Sequence, residues 1–305
     1  MKITNIKNLP APIVAAVQNM VDQPRSSDGD KSMLRISVTR LIDSPMIANL
    51  EREYWHDITE DASERLWALF GTAVAKILES AHVDEDGHAE KGVGREFVLD
   101  DGRKVRVTGR LDRFAKHEGE LQDYKVTSAW SIIFGKEDWP KQLNLYRYLL
   151  DPDMLHVKRL AIYALLRDWQ RSRAAREADY PQDNMIRVEI PMWPNEECEL
   201  YIAARLRAHF VDPPGCSDGE RWAKPGSFAV MKEGRKTAMR VLPTSAEASK
   251  WVEAEGLTNT KGISIIERPA TFPRCENYCN VAQWCPIWSA TAKARADGAN
   301  PEHAE

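Results

Sequence analysis

The chain has 305 residues and is 43% hydrophobic, enough for one large domain or two ordinary ones. Its 42 Lys and Arg against 46 Asp and Glu leave a formal net charge of -4, which excludes binding of nucleic acid by bulk positive charge; any such partner must meet local positive potential. No apolar run of about 18 residues is present to span a membrane, and the N-terminus lacks a long apolar stretch followed by a small-residue cleavage site. Neither a membrane span nor secretion is therefore expected, and the chain reads as cytoplasmic.

In chain order, a short helix is predicted over residues 11–20, and the polar, turn-rich residues 23–32 read as a loop or linker. Ser37 caps a second short helix. Ser44-Pro45 starts a third, with proline at the first helical position, where its missing N–H costs nothing. Asp61-Ala-Ser-Glu64 reads as a capping box before a long helix. Leu66, Leu69, Phe70, Ala73, Val74, Ile77 and Leu78 recur at helical spacing, which predicts a buried stripe. Glu79 stands one turn beyond Ala75 on the same side.

A strand is predicted over residues 95–99, then an Asp-Gly turn at residues 101–102, then a second strand from Lys104, a hairpin signature. Val105, Val107 and Leu111 share one parity, so Asp112 projects from the opposite face. A third strand covers residues 121–126, where Asp123 and Lys125 share a face and Tyr124 points away. Two acids and a lysine brought together on adjacent strands suit a hard divalent cation with a lysine beside an attacking water or a phosphate oxygen. Residues 130–139 read as an aromatic-rich loop. Residues 141–150 read as a helix that carries Gln142 and Tyr146 one turn apart.

Residues 160–169 then predict a buried strand, followed by the basic cluster Arg167, Arg171, Arg173 and Arg176, another strand from Met185, and a helix over residues 196–210. Past Pro213 come Cys216, a hairpin turn at Glu233-Gly234 and a helix over residues 245–255. Cys275, Cys279 and Cys285 follow in one short segment. Three clustered thiols in such a chain point to metal or cluster ligation rather than disulfides. A fourth ligand is required for a tetrahedral site or a cubane cluster. Cys216, in a Pro-Pro-Gly loop, is the expected fourth, while Cys198 falls within a predicted helix as a core residue.

The order Gly109-Arg-Leu-Asp112, Asp123-Tyr-Lys125, Gln142-x3-Tyr146 resembles the RecB-type nuclease domain of the PD-(D/E)XK superfamily, and residues 70–79 resemble the family's first active-site helix. The resemblance implies an α/β fold, a mixed central sheet of about four to five strands flanked by helices. It also implies a metal-dependent deoxyribonuclease, an exonuclease acting in recombination, repair or replication. Asp112 and Asp123, with the Val126 carbonyl and Glu79, would ligate Mg²⁺ or Mn²⁺. Lys125 would act on the water or phosphate, and Gln142 and Tyr146 would brace the site or contact the strand. Some RecB-like nucleases carry a four-cysteine iron–sulfur cluster, so the resemblance implies a [4Fe-4S] cluster on Cys216, Cys275, Cys279 and Cys285. Zinc stays open, because the first cysteine gap is x3 rather than x2 and Cys216 follows the core.

Alanine stands at position 75, where such nucleases often have a metal-binding histidine. Either this subfamily does not use the histidine, or the protein is a silent nucleic-acid-binding or scaffold form, or Ala75 is an inactivating change. The expected organisation is an N-terminal extension over residues 1–36, a nuclease core over 37–212, a cysteine lobe packed on it over 213–289 and a disordered tail over 290–305. This combination also resembles phage-encoded nucleases, with DNA and a phage or host recombination protein as partners.

Overall fold

The computed structural model describes residues 1–22, 33–81, 88–89, 92–150 and 156–296. The chain divides into two compact units, residues 1–48 with 56–213 and residues 49–55 with 214–305. The loop expected over residues 23–32 lies outside the described residues.

In the first unit, β1 (Lys2–Thr4) and α1 (Ala11–Asp22) precede β2 (Leu34–Ser37) and α2 (Val38–Ile42). Ser37 caps α2 as expected, its side chain accepting from the Arg40 N–H. Helix α3 (Pro45–Glu53) begins at the anticipated proline, and its second half groups with the other unit. β3 (Thr59–Asp61) pairs in parallel with β1. Asp61 caps the turn of 3₁₀ helix that follows, accepting from the Ser63 N–H, before α4 (Leu66–Glu79).

Next come β4 (His88–Ala89), β5 (Gly92–Val98), β6 (Lys104–Arg110), β7 (Arg113–Ala115), β8 (Glu120–Thr127), α5 (Trp130–Ile133) and α6 (Asp138–Leu149). The unit ends with β9 (Arg159–Leu166), α7 (Arg171–Ala174), β10 (Met185–Ile190) and α8 (Asn195–Phe210). The strands form a five-stranded sheet of order β10-β9-β8-β7-β4 and a three-stranded sheet of order β2-β6-β5. Pairing of β8 with β9 and of β2 with β6 is parallel; the other pairs in these two sheets are antiparallel, so the fold is the expected mixed α/β.

Alternation explains the packing. Val105 and Val107 are fully buried on β6, and Arg106 between them is not. β9 is flanked by β8 and β10, and Leu160, Ala161, Ile162 and Ala164 are buried as a central strand requires. Helix α6 buries Trp139, Leu143, Leu145, Tyr146, Tyr148 and Leu149 among the core side chains of these sheets. It starts three residues before the expected position, because Pro140 sits in its first turn, where no intrahelical N–H is needed. The strip read as an aromatic loop is thus largely helical.

The stripe expected on α4 is a correction. No residue of α4 is fully buried. Leu66, Leu69, Val74 and Ala75 are half-buried, while Trp67, Phe70, Ile77 and Leu78 are exposed. The apolar residues wrap most of the helix, more than one contact face can cover, so periodicity alone could not select the inward side.

The second unit holds α9 (Asp218–Arg221), β11 (Ser227–Lys232), β12 (Arg240–Leu242), α10 (Ser245–Ala254), β13 (Ile263–Arg268) and α11 (Pro286–Ala296). Its antiparallel sheet has the order β12-β11-β13, with Val230, Ala248 and Val252 as its core. The β11–β12 hairpin turns at Glu233-Gly234 as expected. Residues 290–296, expected to be disordered, are helical in α11.

Candidate active site

Asp112 sits between β6 and β7, at the point where the chain passes from one sheet to the other. The β7–β8 ladder stops at Gln122, leaving the next residues of β8 without a strand partner on that edge. Asp112 fills the gap, Oδ2 accepting the Tyr124 N–H at 2.8 Å. The acid and the DYK strand are therefore joined by the hydrogen bond that a longer β7 would have made.

Asp123 lies on β8 and is 1% exposed. Its Oδ1 accepts from Lys125 Nζ at 3.0 Å and from Gln142 Nε2 at 3.1 Å. Gln142 Nε2 also donates to the Tyr146 hydroxyl at 3.0 Å. Lys125 and Gln142 thus converge on one carboxylate, with Tyr146 behind Gln142. Asp123 Oδ2 lies 2.8 Å from Lys125 Nζ as an ion pair, yet accepts no directed hydrogen bond. It is a buried oxygen with free lone pairs, which an oxygen-seeking cation would satisfy.

Burial pushes the Asp123 carboxyl up to about 6, and the neighbouring charge of Asp112 adds to the rise against the Lys125 ammonium. Burial likewise raises Asp112, opposed by the Tyr124 N–H, Lys125 and Arg110. The two acids feel each other's charge, a cost that a divalent cation between them would remove. Burial also raises the Tyr146 hydroxyl, so it stays protonated as a neutral brace.

Glu79 stands apart from this convergence. It pairs with Lys76 at 2.7 Å and Arg110 at 3.3 Å, and the Lys76 hydrogen bond holds its carboxyl below the usual range. Arg110, paired with Glu79, also opposes the rise of the Asp112 carboxyl by its charge. Arg110 is a charged member of this site that the sequence pattern does not single out, although it stands only two residues before Asp112. The Val126 carbonyl follows from strand geometry. Thr127 O accepts the Arg167 N–H on the β9 side, so the preceding carbonyl points to the opposite edge, where Asp112 takes the Tyr124 N–H. Among the described residues, no group of three His, Cys, Asp or Glu side chains is placed to hold a metal ion. The oxygen set is two carboxylates and a backbone carbonyl, hard donors that fit Mg²⁺ or Mn²⁺ with water completing the shell.

In the second unit Cys216, Cys275, Cys279 and Cys285 form no disulfide. Burial pushes the Cys279 thiol up to about 11, with Cys275 and Cys216 adding to the rise. Gly215 abuts α11, since a Cβ there would lie 2.5 Å from Ile287 Cδ1, two residues past Cys285. Cys216 is thereby brought to the other three, but the four do not converge as a ligand set. Cys198 is fully buried in the first unit, its thiol directed at the Asn144 carbonyl.

A buried carboxylate, Asp123, a half-buried one, Asp112, and a lysine presented by a mixed sheet make an oxygen-ligand site suited to hydrolysis of phosphate esters. The chain belongs to the PD-(D/E)XK nuclease superfamily, whose family model matches residues 39–286. Its substrate class is accordingly nucleic acid. Among solved structures, one described as the crystal structure of SSO0001 is 16% identical, with a TM-score of 0.46 over 66% of this chain and 85% of that one. No curated protein matches the chain.

Proposed function

We propose that the protein is a divalent-metal-dependent deoxyribonuclease, an exonuclease serving recombination, repair or replication. The observation that carries this reading is the convergence of Lys125 and Gln142 on Asp123 beside Asp112, with Asp123 Oδ2 ion-paired to Lys125 but accepting no directed hydrogen bond. Asp112, Asp123 and the Val126 carbonyl would hold Mg²⁺ or Mn²⁺. Such an ion supplies an acidified water and offsets charge on the scissile phosphate. Lys125, a quarter exposed, reaches from Asp123 toward solvent, where its ammonium orients the attacking water or meets the phosphate oxygens. Gln142 and Tyr146 fix the Asp123 carboxylate. Glu79, through Arg110, sets the charge beside Asp112 and holds a water at the edge of the site.

The test is cleavage of end-labelled linear DNA with Mg²⁺ or Mn²⁺ by wild type and Asp112→Ala. Metal-dependent loss of the label in wild type alone is expected. An active Asp112→Ala protein sinks the assignment. Salt-sensitive DNA binding without cleavage by wild type favours the silent-binder reading, to which Ala75 on the half-buried face of α4 gives its specific support.

For the cysteines we propose a structural metal centre in the second unit, iron–sulfur or zinc. The support is the shared locale of the cysteines, with Cys275 and Cys216 both acting on the Cys279 thiol. A phage or host recombination protein as partner belongs to the same proposal.

A further inference from the structure

Beside the acidic site, the first unit exposes aromatic rings interleaved with arginines. Trp130 on α5 and Phe134 just after it stack nearly parallel, centroids 5.6 Å apart at 9°, and Phe134 is 78% exposed. Arg173 lies 5.0 Å over the Trp130 ring. Arg167 lies 4.4 Å over Trp67 of α4, itself 62% exposed. These groups form one wall held by short links: Arg167 N–H donates to Thr127 O at 2.9 Å, Ala129 N–H to Asp168 Oδ1 at 2.8 Å, and Thr127 and Ser131 share a hydroxyl bond of 2.7 Å. The wall begins two residues past Lys125 on the same strand.

We propose that this wall is a base-stacking platform that takes an unpaired nucleic-acid strand and feeds it to the acidic site, so that single strands or frayed ends are the preferred substrate. The proposal rests on the nuclease reading and deepens it. Phe134, with Trp130 against one face and most of its surface exposed, presents a ring that stacks any base, whereas paired bases inside a duplex offer no face to it. The interleaved guanidiniums supply the complementary charge. Arg167 and Arg171 pair with no carboxylate among the described residues, and the acids nearest the wall are engaged: Asp168 accepts from Ala129, and Glu177 pairs with Arg173 at 2.7 Å. Local cation density on a chain of net charge -4 fits a polyanion as the occupant.

The experiment is fluorescence anisotropy without added divalent ion, using labelled oligothymidylate and an abasic strand of equal length. Wild type should prefer the base-bearing strand. Phe134→Ala and Trp130→Ala should weaken oligothymidylate binding about tenfold and leave abasic binding unchanged, and Phe134→Tyr should restore the preference. Phe134 is exposed enough that its truncation spares the fold. Equal binding of both strands by wild type, or an unchanged preference in Phe134→Ala, overturns the platform. Cleavage of duplex and single strands unaltered by Phe134→Ala overturns it too, while the nuclease reading stands. A base preference lost in Phe134→Ala, in a protein that cleaves nothing, supports the platform and sinks the nuclease reading.

Discussion

Gly109 lies flat against the ring of Tyr146: a Cβ at Gly109 would stand 2.5 Å from Tyr146 Cε1. The glycine of the GRLD motif is thus a packing requirement of the site helix. Gly109→Ala must displace the ring and, with it, the hydroxyl that meets Gln142. A destabilisation of about 1–3 kcal/mol in denaturant unfolding is expected, with reduced cleavage even where the protein stays folded. Combining it with Tyr146→Leu should cost less than the sum of the single changes, because the ring that collides is gone. Additive costs would show that Gly109 answers to something else.

Lys125 has two duties that one substitution separates. Removing it leaves Asp123 buried without its cation, so Lys125→Met should lower stability at pH 7 by about 1–3 kcal/mol. That loss should shrink near pH 5, where Asp123 takes up a proton. Lys125→Arg keeps the charge but changes its reach, so it should retain stability and still lose most cleavage. Full activity in Lys125→Arg would place the lysine outside the chemistry.

The sequence made much of this site legible because strand parity and helix spacing are local. Asp123 and Lys125 two apart, and Gln142 and Tyr146 four apart, can only share faces, and they do. The hairpin β5–β6 was readable from its Asp-Gly turn. The join of Asp112 to Tyr124 was not, because it depends on where the β7 ladder ends. Burial of α4 failed for a related reason: an all-round apolar helix has no face that composition can choose. The transfer of the chain from one sheet to another at Asp112 is likewise a tertiary event. Strand β13 was missed because its Ile-Ser-Ile-Ile pattern is short and lies between segments read for their cysteines.

The Asp123 carboxyl gives a pH signature with a fixed sign. Its folded value of about 6 exceeds the ordinary 3.8, so between those values the folded chain holds a proton that the unfolded chain has released. Stability of the metal-free protein therefore falls as pH rises from about 4 to about 6, by on the order of 3 kcal/mol at most. Asp123→Asn should flatten that slope and be the more stable protein at pH 7, while losing cleavage. In wild type, protons and Mg²⁺ compete for the same oxygens, so the acid limb of the cleavage profile should move to lower pH as Mg²⁺ is raised. An acid limb that ignores Mg²⁺ concentration would mean that Asp123 is not a ligand.

The four cysteines test the second unit by itself. Without a metal the raised Cys279 thiol stays protonated at neutral pH, and a bound metal must displace that proton. Anaerobically purified protein should carry either about four irons with a brown colour or a single zinc without colour. Cys216→Ser should lower the metal content and cut thermal stability, and Cys198→Ser should leave the content unchanged, because Cys198 is sealed in the core of the first unit. Protein that holds no metal yet unfolds at the same temperature as its Cys216→Ser variant would show that the thiols pack as ordinary small apolar groups.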